Sequence, residues 1–261
     1  MRGWQMEYFS IQKDSGYKIS CVREVPDQPK GIVIAVHGFT SSKESPTYRR
    51  LLNRFPTAGY GVICIDLPGH GTEESAREPL RIPGAIDSIE AAERYAAAEY
   101  PGCEIFYFGS SFGAYLIGLY ISTREHSGRK AFWRSGAVNM PELFHKDPPG
   151  EEEKRYLREL EKKGFVDFAM DHHSPVRIIR PMYDDLLESD LFEIFDAGRF
   201  GQNQIAMAHG REDSVISPEA VERFAARFQI PVTWFPGEGH SLSGHKSTPD
   251  KVVDLAIGFF N

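Results

Sequence analysis

Cysteine is scarce in this chain. The 261 residues hold three, Cys21, Cys64 and Cys103, and no CxxC pair. An odd count without paired spacing disfavours a disulfide framework and a structural zinc site, and fits a reducing, cytoplasmic compartment. Long apolar runs are lacking too. None approaches the roughly 20 residues needed to span a bilayer, so no membrane span is expected. The opening MRGWQMEYFS lacks the apolar stretch of a signal peptide. There is no excess of basic charge either: 30 Lys and Arg stand against 37 Asp and Glu, a net charge of −7. A phosphate backbone is repelled on average, which argues against nucleic acid as a partner. No internal repeat is visible. What remains is an ordinary globular composition, 41% hydrophobic and 26% charged, on a length that suits one α/β domain with an excursion or two small domains.

The pattern along the chain favours the first arrangement. Two weakly alternating stretches, 7–11 and 18–24, flank Asp14-Ser15-Gly16 and read as a hairpin. A continuous β-branched run follows, GIVIAV at 31–36, and runs of the same apolar character come after it: GVICIDL at 61–67, EIFYFG at 104–109, then 130–138, QIAMA at 204–208 and VTWF at 232–235. Strands apolar on both faces are what a parallel sheet covered on both sides requires. Helical spacing marks 47–57, 85–99, 111–123, 217–228 and 252–260. The helix at 111–123 is apolar nearly all round, and Ser217-Pro218-Glu219 is a helix start with Ser217 as N-cap. This alternation predicts a mostly parallel, doubly wound sheet. Residues 139–190 break the rhythm. They offer no core strand, but a charged helix over about 149–163, opened by Asp147-Pro148, with Glu151/Arg155 and Glu159/Lys163 as i,i+4 pairs and a thin stripe of Leu157 and Leu160. The division expected is a core of 1–138 and 191–261 with 139–190 inserted as a lid or cap.

The strongest local signal is Gly109-Ser110-Ser111-Phe112-Gly113, placed between a strand and a helix. A G-x-S-x-G turn in that context exposes its central serine above the helix N-terminus, where developing negative charge is favoured. The spacing selects Ser111 as nucleophile and leaves Ser110 in the variable position. A serine hydroxyl needs a base. His240, in Gly237-Glu238-Gly239-His240-Ser241 just beyond VTWF, is preferred over His245. The base in turn needs an acid to orient it. Asp213, after QIAMA in HGREDSV at 209–215, is preferred over its neighbour Glu212 and over Asp196 upstream of the strand. The order Ser111, Asp213, His240 is the one this architecture uses. The N–H of Phe112 and that of Phe39, in the loop His37-Gly38-Phe39-Thr40, are the candidate oxyanion donors. His37 is read as a brace for that loop rather than as a base. Chemistry of this kind calls for no metal and no organic cofactor.

These segments resemble the α/β-hydrolase superfamily over nearly the whole chain outside 139–190. The His37-Gly38-Phe39 loop, the Asp66-Leu67-Pro68-Gly69-His70-Gly71 turn, the elbow, the acid turn and the late Gly-His occur in the same order. The resemblance implies an α/β-hydrolase fold, the triad named above, and His70 as a turn residue. HGFTSSK at 37–43, HGREDSVISPEA at 209–220 and the inserted segment are similar to bacterial cinnamoyl or feruloyl esterases, whose lid recognises the phenolic part of the ester; Tyr183, Asp184 and Asp185 would supply such contacts here. The function implied is hydrolysis of a small-molecule carboxylic ester, with a thioesterase, an amidase or a non-hydrolytic receptor of the same fold as alternatives. The sequence leaves a homodimer open.

Overall fold

The apolar runs line up side by side. The computed structural model describes residues 6–71, 74–145, 149–168, 175–200 and 204–261. Its strands are β1 (Glu7–Gln12), β2 (Lys18–Glu24), β3 (Gly31–Val36), β4 (Tyr60–Ile65), β5 (Glu104–Ser110), β6 (Gly128–Arg134), β7 (Phe165–Phe168), β8 (Val176–Ile179), β9 (Ile205–Gly210) and β10 (Val232–Phe235). Eight of them form one sheet in the order β1-β2-β4-β3-β5-β6-β9-β10. The β1–β2 hairpin joins the edge antiparallel, and every pairing from β4 to β10 is parallel. The helices are α1 (Pro46–Arg54), α2 (Ile82–Glu99), α3 (Phe112–Thr123), α4 (Met140–Phe144), α5 (Glu151–Lys163), α6 (Arg180–Glu188), α7 (Leu191–Ile194), α8 (Ala197–Phe200), α9 (Pro218–Phe228) and α10 (Thr248–Phe260).

Helices cover both faces, which is why the central strands are apolar on both sides. On one face, residues of α1 and α10 such as Leu51 and Phe260 pack with Val62, Phe106, Phe108 and Phe132. On the other, α2, α3 and α9 pack with Ile34, Ile65, Tyr107 and Trp133. Helix α3 is buried from Phe112 to Ser122, as its all-round apolar sequence requires. The strand order reverses between β3 and β5, and a sheet of this kind opens a crevice at the carboxyl ends of those two strands.

Element ends differ from the sequence pattern where local chemistry intervenes. β6 stops at Arg134, short of residue 138, because Ser135 turns to φ 48° and sends its N–H to Ala208 O at 2.8 Å. β4 stops at Ile65, where Asp66 turns away to accept from Lys43 N at 2.7 Å. α2 and α10 begin earlier than their apolar stripes, each with a proline in its first turn, where the missing N–H costs nothing. Ser217 caps α9 as expected, its hydroxyl accepting from Ala220 N at 3.1 Å.

Between β6 and α7 the chain leaves the sheet. Residues 165–179 hold what the sequence pattern did not disclose: β7 and β8 pair antiparallel as a separate two-stranded sheet. Helix α5 runs where the charged helix is expected, though Glu151 pairs with Lys154 at 2.7 Å rather than with Arg155; Glu159 and Lys163 pair at 3.2 Å as expected. Asp147 and Pro148 lie outside the described residues. α6 is tied to the start of α2 by Asp185, which accepts from Arg81 Nε and Nη2 at 2.5 and 2.7 Å and from Ile82 N at 3.2 Å.

Candidate active site

Ser111 sits between β5 and α3 with φ 52° and ψ −115°, a region that a non-glycine residue occupies only when its surroundings force it. Those surroundings are backbone. Ser111 N–H donates to Arg134 O at 2.9 Å, and Ser111 O accepts from Ala137 N at 3.2 Å. Gly113 explains why the pentapeptide ends in glycine: a Cβ there would lie 2.0 Å from Val36 O. The start of α3 therefore rests directly on the end of β3, and the serine is lifted above it.

His240 and Asp213 converge on this turn from later strand ends. His240 Nε2 is 3.0 Å from Ser111 Oγ, and His240 Nδ1 is 2.8 Å from Asp213 Oδ2. The partners assign the tautomer: Nδ1–H donates to the carboxylate, which leaves Nε2 to accept from the serine hydroxyl. Asp213 Oδ1 accepts from Val215 N and Ile216 N, each at 2.9 Å. Burial pushes the Asp213 carboxyl up, but the two imidazoles beside it and these backbone donors hold it well below the usual carboxylate range. The second imidazole is His209. It is fully buried, and its Nε2–H faces Asp213 Oδ2 and Ile216 O, both at 3.1 Å.

The alternatives are placed elsewhere. His245 is turned away towards Glu238, its Nδ1 2.8 Å from Oε1. Glu212 and Asp196 are exposed, and Asp196 accepts from Gly198 N within its own loop. Glu238 is buried and accepts from Gly244 N, His245 N and Thr248 Oγ1, which folds the chain after His240 into a fixed loop. Burial opposes its charge, yet these donors hold its carboxyl down at about 2.

The loop after β3 faces Ser111. A Cβ on Gly38 would lie 3.2 Å from Ser111 Cβ and 3.2 Å from Ser110 O. Phe112 is the first residue of α3, so its N–H has no partner four residues back within the helix. Phe39 N–H belongs to the loop that Gly38 brings against Ser111. Two histidines brace that loop. His37 Nδ1–H donates to Gly38 O at 2.8 Å, and its Nε2 accepts from Leu67 N at 3.1 Å. His70 Nδ1–H donates to Pro68 O at 2.9 Å, and its Nε2 accepts from Thr40 N at 3.1 Å. His70 is therefore more than a turn residue: it holds the amide next to Phe39. Burial and the neighbouring His37 push its pKa down to about 3.

A cavity of about 670 Å³ opens over Ser111 and His240. Residues of the excursion line much of it, including Tyr156, Leu160, Val166, Phe168 and Tyr183. Phe168 packs edge-on against Phe39, their ring centroids 5.9 Å apart, and lies 4.6 Å from the Tyr156 ring. Of the residues expected to meet substrate, Tyr183 lines the cavity, with its hydroxyl on Phe144 O at 3.2 Å. Asp184 does not: its carboxylate accepts from Arg180 Nε at 2.8 Å, an i,i+4 pair on the exposed side of α6. Asp185 serves the tie to Arg81 described above. Sequence reasoning passed over His209, Glu238, Ser135 (whose hydroxyl donates to His240 O at 2.7 Å) and Arg134. His209 alone had a signal, standing four residues before Asp213 at the end of its strand.

Comparison with known proteins agrees with this architecture. The chain is 30% identical over 89 residues to the phospholipase YtpA of Bacillus subtilis and 28% identical over 97 residues to a monoacylglycerol lipase of Mycolicibacterium smegmatis. These stretches cover 33% and 36% of this chain, and 32% and 34% of the two relatives, so the match spans about a third of the curated relatives' length. The fold is similar to that of Est1E from Butyrivibrio proteoclasticus with ferulic acid bound, at a TM-score of 0.78 and 17% identity over 97% of each chain. A family profile, the Alpha/beta hydrolase family, matches residues 33–255. With that profile covering most of its length, the chain belongs to the α/β-hydrolase family.

Proposed function

We propose that the protein hydrolyses carboxylic esters of small molecules through an acyl-enzyme on Ser111. The observation that carries this reading is the line Ser111–His240–Asp213, with contacts of 3.0 and 2.8 Å and the tautomer its partners dictate. Ser111 Oγ attacks the ester carbonyl while His240 Nε2 takes its proton, and Asp213 stabilises the imidazolium that forms. The N–H groups of Phe39 and Phe112 receive the oxyanion. His240 then passes the proton to the leaving alcohol. Water, activated by the same imidazole, attacks the acyl carbon and releases the acid and free Ser111 Oγ–H. Every step is a proton or acyl transfer that side chains and backbone perform.

Residues 139–190 act as the cap over this site. They contribute much of the apolar wall, and the aromatic side chains Phe39, Phe168, Tyr156 and Tyr183 favour an aromatic or short apolar group beside the ester, hydroxycinnamates included. The ferulic acid in Est1E, and the lipase and phospholipase among the relatives, support an ester as the bond cleaved.

The test is a panel of nitrophenyl, hydroxycinnamate, thioester and anilide substrates, run with wild type and Ser111→Ala. Hydrolysis of the esters that disappears in Ser111→Ala is the expected result. Ester hydrolysis that survives Ser111→Ala refutes the mechanism. Turnover confined to thioesters or anilides refutes the ester reading, and stoichiometric acylation without turnover points to a receptor.

A further inference from the structure

Arg134 is a charged residue of the cavity that the ester mechanism leaves unused. It ends β6, directly beside the Ser111 turn, and its side chain is half-buried in the cavity wall. Its Nη1 donates to Ser110 Oγ at 2.7 Å, and its Nη2 donates to Ser241 O. A guanidinium carries five N–H donors, so these two bonds leave donors over. Among the described residues, no carboxylate stands within 4.0 Å of it. The nearby acids are committed elsewhere: Asp213 to His240, His209 and two backbone amides, and Glu238 to the loop it folds. The neighbouring cation in the cavity wall, Arg50, is balanced by Asp250 at 2.9 Å. Burial pulls the Arg134 guanidinium below its usual range, although Asp213 and Glu238 oppose the shift from a distance. A protein of net charge −7 that keeps a cation without a carboxylate partner, among the described residues, beside Ser111 offers a place for an anion.

The cavity lining varies in the same sense. The excursion supplies many of its apolar side chains, with Glu152 and Glu153 beside them. The start of α1 and the chain after His240 present Ser45, Thr47, Ser241 and Ser243 with the two arginines. We propose that Arg134 is an anion subsite and that the preferred ester carries a free carboxylate, which forks onto the guanidinium while the apolar part of the substrate lies under residues 139–190. This rests on the ester-hydrolase reading and narrows it to half-esters of dicarboxylic acids and esters of hydroxy acids. Arg is suited to the task because its planar fork matches a carboxylate in two parallel bonds.

Two matched pairs test it: monoethyl glutarate against its neutral amide, and butyryloxyacetate against its neutral amide, each followed by pH-stat titration. Wild type is expected to prefer the carboxylate member of at least one pair by about tenfold or more in kcat/KM, mainly through KM, the scale of a charge-assisted hydrogen bond. Arg134→Gln lowers all four rates through its lost hold on Ser241 O, so the readout is the ratio within a pair. That ratio collapses to near one in Arg134→Gln and is largely kept in Arg134→Lys. A wild-type ratio near one in both pairs, or a ratio unchanged in Arg134→Gln, overturns the proposal and leaves Arg134 a loop brace. If Arg134→Gln does not fold by circular dichroism, wild type and Arg134→Met decide on the same ratio. If wild type cleaves none of the four, the ester reading is judged separately by the nitrophenyl and hydroxycinnamate panel. The subsite is then judged by calorimetry on Ser111→Ala: tighter binding of monoethyl glutarate than of its amide, lost on adding Arg134→Gln, upholds it, and equal binding overturns it.

Discussion

Acid should loosen this protein through His70, and the size of the effect follows from the ring's contacts. Both nitrogens are used: Nδ1–H on Pro68 O at 2.9 Å and Nε2 accepting from Thr40 N at 3.1 Å. Protonating Nε2 turns an acceptor into a donor that faces Thr40 N–H, in a buried site whose other ring, His37, lies 5.0 Å away. Burial first, and His37 second, bring the pKa from an ordinary 6.5 to about 3. The folded-state value is depressed for a base, so the neutral ring's contribution is complete above the unfolded pKa and is lost as pH falls from about 6.5 towards 3. Between about pH 8 and about pH 5 the loss amounts to about 2 kcal/mol by linkage. The measurement is urea unfolding of wild type and His70→Gln at both pH values. Glutamine can still accept from Thr40 N but does not titrate, so groups common to both proteins cancel in the double difference. Wild type should lose about 2 kcal/mol more than the variant on acidification. Equal losses in the two proteins would falsify the assignment of His70 as a neutral brace for the Phe39 loop.

Three further outcomes follow. Asp213→Asn places an amide where His240 Nδ1–H and two backbone amides need acceptors, so the imidazole turns to the wrong tautomer; kcat on an ester substrate should fall by about a thousandfold or more, and a loss under tenfold removes Asp213 from the orienting role. Gly113→Ala forces a methyl to 2.0 Å from Val36 O; the chain should fail to fold or lose about 10 °C in Tm, and a Tm within a degree or two of wild type refutes the close approach of α3 to β3. Asp185→Asn weakens the fork to Arg81, whose side chain is 41% exposed; the global cost should stay under about 1 kcal/mol, while limited proteolysis within residues 139–190 rises, and unchanged cleavage there argues against that tie.

The legibility of the site was uneven for a physical reason. Ser111, Asp213 and His240 could be found because each follows a short apolar strand, and sites in sheets of this kind form at strand carboxyl ends. The choice between His240 and His245 was harder to read, since both lie in one loop; Glu238 decides the contact by holding His245 away. Asp184 was misplaced because sequence shows that an acidic residue lies on a helix but not which side of that helix meets the cavity. The hairpin of β7 and β8 escaped because four-residue strands in a charged segment carry too little alternation to stand out.

By itself, then, the sequence determined the alternating fold, the elbow and the order of its partners, because these rest on local periodicity, glycine spacing and turn chemistry. Tertiary structure alone decided what surrounds them: His209 on Asp213, His70 on the amide beside Phe39, the aromatic wall brought over Ser111 by residues 139–190, and Arg134 with no carboxylate partner among the described residues. Apart from His209, which stands four residues before Asp213, each of those depends on residues tens of positions apart meeting in space, and on which buried groups find a partner there, which no one-dimensional pattern records.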